Sequence, residues 1–150
     1  MGLPTVTLPE TSWHISLEVS YGEEGYEYFI HKVLDVNRNE LMHWTKNNEG
    51  QIESITFTSD QFALPNGIGI SDLIAEIPDG EITNLGYSYI SGGLSFYCPG
   101  HNAEFFISTT NALTKDQLHS LGGSDFNQLS KNDLRPDAKI ENIRIWNRGN

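Results

Sequence analysis

The side chains in this chain with the widest chemical repertoire are Cys98, the histidines His14, His31, His43, His101 and His119, and a surplus of carboxylates, 20 Asp plus Glu against 9 Lys plus Arg. Cys98 and His101 have the types of a nucleophile and its base, because a thiol attacks as the thiolate and needs a proton acceptor. They flank Pro99-Gly100, carry no family signature, and the two residues between them do not by themselves set an attack geometry. Cys98 reads more simply as a small buried hydrophobe on a strand face shared with Leu94 and Phe96, and His101 as a turn residue in solvent. No catalytic residue is therefore assigned. His14, His31 and His43 would converge only if the first three strands brought them to one face. Spacings that force convergence, such as two histidines four apart on a helix, do not occur, so neither a metal nor a cofactor is expected.

Two other patterns fail on inspection. Asp35, Asn37 and Asn39 occupy the first, third and fifth positions of a calcium loop, but Glu40 stands where the loop needs Gly and Lys46 where it needs a bidentate Glu. A polar hairpin turn fits better. Asn66-Gly-Ile-Gly69 and Ser91-Gly-Gly93 lack the third Gly or the Lys of a nucleotide loop and read as turns.

Charge is the strongest remaining signal. Between Lys46 and Lys115 the chain runs 68 residues without Lys or Arg while holding eight acids. Residues 1–104 carry 15 acids and 3 bases, net −12, and residues 105–150 carry 5 acids and 6 bases, net +1. Such a field repels nucleic acid and anionic membrane surfaces and speeds encounter with a basic protein. The expected function is an acidic protein-binding module of the inhibitor or immunity type, docking and masking a basic partner such as a nuclease or toxin. Its contact residues are sought among Glu23, Glu24, Glu27, Glu49, Glu53, Asp72, Glu76, Asp79 and Glu81. The alternative is a β domain that binds a small ligand or carbohydrate through exposed tyrosines. Tyr28, Tyr87, Tyr89 and Tyr97 are its candidates, since a phenol hydroxyl seeks water or a partner.

One cysteine rules out an internal disulfide and suits a reducing compartment. The N-terminal stretch lacks the basic and apolar regions of a secretory signal, so cytoplasm is the expected location. No window approaches the roughly 18 apolar residues of a membrane span. A length of 150 residues, 37% of them hydrophobic, predicts one domain with its own core.

The elements that must position these residues follow from periodicity. Trp13, Ile15, Leu17 and Val19 alternate with polar residues, predicting a strand with one buried face. Strands are also expected over Tyr26–Val36, Leu41–Lys46 and Ile52–Ser59, joined by short turns as an antiparallel meander, with Thr5–Leu8 as a short lead-in strand. Ser71 is placed to cap a short helix over Asp72–Ile77, before Pro78. A second meander is predicted over Glu81–Ile90, Leu94–Cys98 and Ala103–Ser108, with Leu85, Tyr87, Tyr89, Leu94, Phe96, Cys98, Ala103, Phe105 and Ile107 on one face. Thr114 and Gln117 have capping-box spacing for a helix ending at Gly122-Gly123. Ser124 can cap another that buries Phe126 and Leu129, and Lys139–Trp146 reads as a last strand. The sum is an α+β fold: about eight strands, mainly antiparallel, with two or three short helices concentrated late.

Overall fold

A computed structural model describes residues 13–21, 25–88, 93–121 and 129–147. The strands are β1 (His14–Tyr21), β2 (Glu27–Leu34), β3 (Glu40–Lys46), β4 (Ile52–Phe57), β5 (Thr83–Ser88), β6 (Gly93–Cys98), β7 (Ala103–Ile107) and β8 (Ile140–Trp146), with helices α1 (Thr109–Ala112) and α2 (Lys115–Leu121) between β7 and β8. They form an α+β fold built on one eight-stranded antiparallel sheet in the order β1-β2-β3-β4-β8-β7-β6-β5. Both predicted meanders are present, and β8 joins them by pairing with β4 on one side and β7 on the other.

Register follows from the alternation of apolar residues, because a one-residue slip would turn every side chain to the wrong face. An apolar row crosses the sheet through Ile15, Val33, Met42, Phe57, Ile143, Phe105 and Phe96, each opposite the next. A second row runs through Leu17, His31, Trp44, Ile55, Ile145, Ala103 and Cys98. The other face carries the polar row Ser16, Lys32, His43, Thr56, Arg144, Glu104 and Tyr97. His31 thus lies on the apolar face, its ring stacked 5.1 Å from that of Trp44, opposite the face that holds His43.

The apolar face is covered by the two long connections. Residues between β4 and β5 supply Phe62, Leu64, Ile68, Ile70, Ile74 and Ile77 to the core, and those between β7 and β8 supply Ala112, Leu113, Leu134 and Ala138. At the centre Phe96 and Phe105, both fully buried, stack with ring centroids 4.8 Å apart. The Thr114–Gln117 capping box forms in full: each side chain accepts from the other residue's backbone N–H, at 3.3 and 2.7 Å. A second box, Ser130 with Asp133, opens a single 3-10 turn before Leu134.

Two expectations are corrected. The strand Trp13–Val19 forms, but its predicted buried face is not buried: Ile15 and Leu17 are each 59% exposed, and Trp13 and Val19 are also exposed. The core cluster reaches across the sheet as far as Val33 near the end of β2 and takes in no residue of β1, so β1 lies at the edge beyond it. The helix expected over Asp72–Ile77 reduces to one 3-10 turn, Ile74–Glu76. Ser71 does not cap it, because the backbone there turns left-handed, with φ of 75°. The chain is held as an extended strap instead, bridging Leu73 to Lys139, with Ser71 N donating to Ile140 O and Ile74 N to Ala138 O. The lead-in strand at Thr5–Leu8 and the helix start at Ser124 and Phe126 lie outside the described residues.

The strap begins where Gly69 lies against the Phe62–Ala63 backbone. A Cβ there would sit 2.8 Å from Phe62 O and 2.9 Å from Ala63 Cβ. Because the obstacle is backbone, it cannot rotate away. Gly69→Ala is therefore expected to destabilise the protein by about 1–3 kcal/mol in urea titration; an unchanged midpoint would show that the strap is not held this tightly.

Candidate functional site

The turn between β6 and β7 brings chemistry together. Cys98 and His101 are the first and fourth residues of a β-turn closed by His101 N donating to Cys98 O. Pro99 supplies the fixed φ of the second position, and Gly100, at φ of 81°, the left-handed third position that defines a type II turn. Pro-Gly thus does set the Cys98–His101 relation, which correspondence in sequence alone had left open.

Two distant segments complete the cluster. Pro65-Asn66-Gly67 forms a tight hairpin in which Asn66 Oδ1 accepts from Ile68 N, fixing the amide so that its Nδ2 points at Cys98 Sγ (3.3 Å) and Glu81 Oε2 (3.4 Å). Glu81 ends the single 3-10 turn Asp79–Glu81, just before β5. The Cys98 thiol donates to Glu81 Oε2 at 3.1 Å. Donor atoms of Glu81, Cys98 and His101 all lie within 4.8 Å of one another. Cys98 is buried, and Glu81 and His101 are half-buried. Burial first, and then the Glu81 carboxylate that accepts its proton, push the Cys98 thiol up to about 11, with the Asn66 amide pulling the other way. At neutral pH it is a thiol rather than a thiolate, and so a weak nucleophile.

The remaining histidines do not join this cluster. His43 Nδ1 pairs with Glu40, whose other oxygen lies 3.4 Å from Lys32 Nζ, and Lys32 also meets Glu18 at 2.6 Å. The hydrogen bond to Glu18 is the main reason the Lys32 ammonium is held above its usual range. Asp35 is committed to its turn: its carboxylate accepts from the backbone N–H and the side-chain amide of Asn39 and from the backbone N–H of Asn37, which lowers its pKa and leaves the calcium-loop pattern as a hairpin.

The acids sought as partner contacts divide into two groups. The turns β1–β2, β3–β4 and β6–β7 and the end of β8 share one end of the sheet, tied by Trp146 N donating to Asn102 O and Asn147 N to Glu53 O. Glu27, Glu49 and Glu53 are exposed there, and Glu81 stands by the β6–β7 turn at the same end. Asp72, Glu76 and Asp79 are exposed along the strap instead. Asp72 accepts from Gly69 N and Asp79 pairs with Lys131 at 3.0 Å, so both have structural partners. Glu23 and Glu24 lie outside the described residues.

Among the described residues, the candidate tyrosines do not come together. Tyr28 on β2 and Tyr97 on β6 share the polar face but stand five strands apart, about 24 Å at the usual strand spacing. Tyr87, opposite Leu94, packs half-buried on the apolar side, and Tyr89 lies outside the described residues. A polar cleft of about 810 Å³ opens near the other end of the sheet, lined by Asp35, Asp60, Arg135, Asp137 and Glu141 among others.

What sequence reading missed is the apolar strip at the sheet edge. Ile15, Leu17 and Val19 of β1, with Phe29 of β2 opposite Val19, expose 42–59% of their surface on one face. The alternation was visible; that nothing among the described residues covers it was not.

An antiparallel α+β sheet of this kind defines a fold class. The chain is similar to the uncharacterized protein yfeY from Escherichia coli, with a TM-score of 0.63 and 11% identity over 93% of this chain and 83% of that one. At that identity the likeness is one of fold. No protein-family model matches the chain, and no curated protein matches it. Among the described residues, no helix is long and apolar enough to cross a membrane.

Alkylation tests the Cys98 environment. In the folded protein, the rate with iodoacetamide is expected to stay low near neutral pH and to rise as pH approaches about 11. Glu81→Gln should move the rise to lower pH, since the carboxylate opposes ionisation. A profile already level at pH 9.0, the ordinary thiol value, would contradict the site as described.

Proposed function

We propose that this chain is an acidic protein-binding module whose β1–β2 edge docks a basic protein. It acts as an inhibitor or immunity-type protein, masking a partner such as a nuclease or toxin. The observation that supports this most is the exposed strip Ile15, Leu17, Val19 and Phe29, adjoining the sheet end where Glu27, Glu49 and Glu53 are exposed. An apolar centre with a charged border is the anatomy of a protein interface, and a border of one sign selects a partner of the other. Among the described strands β1 is also at the sheet edge, where an incoming chain can add a strand.

The same charge argues against the competing macromolecules. A net −12 over residues 1–104 opposes direct nucleic-acid binding and attachment to anionic membranes. The free Cys98 is at home in a reducing compartment, so the cytoplasm is the proposed location. A stacked sugar would hardly respond to salt, whereas a charge-steered partner loses on-rate as ionic strength rises.

Pull-down from the native cell should recover a basic protein. The triple variant Glu27→Lys, Glu49→Lys, Glu53→Lys is expected to slow its association about tenfold or more at low salt, while Tm moves by no more than about 2 °C. Leu17→Asp should instead speed dissociation. Recovery of an acidic partner, or an on-rate indifferent to both charge reversal and salt, would remove electrostatic docking from the account.

A further inference from the structure

We propose that Glu81, Cys98 and His101 form a binding site for a borderline divalent metal ion of the zinc class. Three different donors, a carboxylate, a thiol and an imidazole, come from two separate segments and lie within 4.8 Å of one another. This set is the one zinc and cobalt(II) accept: sulfur and imidazole nitrogen with one carboxylate oxygen, while magnesium and calcium take oxygen alone. Donor atoms around a tetrahedral zinc are about 3.5 Å apart. Cys98 Sγ and Glu81 Oε2 already lie 3.1 Å apart, so closing around an ion falls chiefly to the half-buried His101 ring, whose donor atom lies within 4.8 Å of the other two.

A second feature points to a cation. Glu81 is half-buried beside a buried thiol, yet among the described residues no Lys or Arg forms an ion pair with it. Its neighbours are the S–H of Cys98 and the amide of Asn66. The thiol proton of Cys98 is directed at the Glu81 carboxylate along the 3.1 Å contact. A metal ion takes that proton's place: the Sγ–metal bond forms, the S–H bond breaks, and the proton leaves to solvent. Asn66 then has the position of an outer-shell donor, its Nδ2 within 3.3–3.4 Å of both anionic ligands and its Oδ1 anchored to Ile68 N. Three protein ligands leave one tetrahedral position for water or for a side chain of a docked partner. The site ties the Asn66 hairpin, the end of the strap and the β6–β7 turn together, and it stands apart from the β1–β2 docking strip.

Cobalt(II) titration of the chelator-stripped full chain tests this. One equivalent is expected to bind with a sulfur-to-cobalt charge-transfer band in the near ultraviolet, and zinc should displace it and raise Tm. Cys98→Ser should abolish the band. Because a buried serine can also unsettle the fold, the deciding variants are His101→Ala and Glu81→Gln, each expected to weaken binding at least about tenfold. His119→Ala, on the exposed face of α2, should bind as the unaltered chain does. Cobalt binding without the thiolate band, or equal affinity in the unaltered chain, His101→Ala and Glu81→Gln, would overturn the proposal.

Discussion

The pairing of β8 with both β4 and β7 is the constraint on which the rest of this structure depends. Ile143 sits opposite Phe57 on one side and Phe105 on the other, 1% exposed, and Ile145 opposite Ile55 and Ala103. Without that strand the two meanders would each present an open edge and half an apolar face. With it, seven side chains line up in each apolar row, and the burial of a residue such as Ile143 contributes about 1.5–3 kcal/mol. A bulge between Phe106 and Ile107 lets β8 enter the sheet while Ile140, 1% exposed, still reaches the core. The same strand sets which turns become neighbours. Its last residues bond to Asn102 and Glu53, bringing the β6–β7 turn and the β3–β4 hairpin to a common end.

Coverage is unequal, and the inequality bears on function. The apolar residues of both long connections join a core in which Leu94 and Phe96 of β6 and Ala103 and Phe105 of β7 are fully buried, and which reaches to Leu41 on β3 and Val33 on β2. β1 and the start of β2 continue the same apolar face beyond that core, where Ile15, Leu17, Val19 and Phe29 are exposed. On the polar face Lys32 stands between Glu18 and Glu40 and ties β1, β2 and β3 to one another. At this exposure such pairs are worth little in stability. Their contribution is to hold an edge strand in register while its apolar side stays open.

Much of the fold was legible because it rests on local rules. The alternation in Leu94–Phe96–Cys98 and Ala103–Phe105–Ile107 set strand faces that pair as expected, and Thr114 with Gln117 marked the start of α2. What failed rests on distance. Nothing in residues 139–146 says that they insert between strands 4 and 7. The alternation of Trp13–Val19 signals two faces but not whether anything will lie over one of them. Ser71 has a capping side chain, yet the close approach at Gly69 and the bonds to β8 commit that segment to an extended path. At the Cys98 cluster, only the Pro-Gly turn is local. Asn66 and Glu81 reach it from 32 and 17 residues away, and no spacing rule could have joined them.

Native-state hydrogen exchange across a denaturant series measures the role of β8 most directly. If the last strand fuses the two halves, amides bonded between β8 and its neighbours β4 and β7 share the slowest exchange in the molecule, and protection in β3–β4 and β6–β7 is lost together with it. Loss of protection in β5–β7 at a denaturant concentration where β2–β4 remain protected would contradict a single clasped sheet.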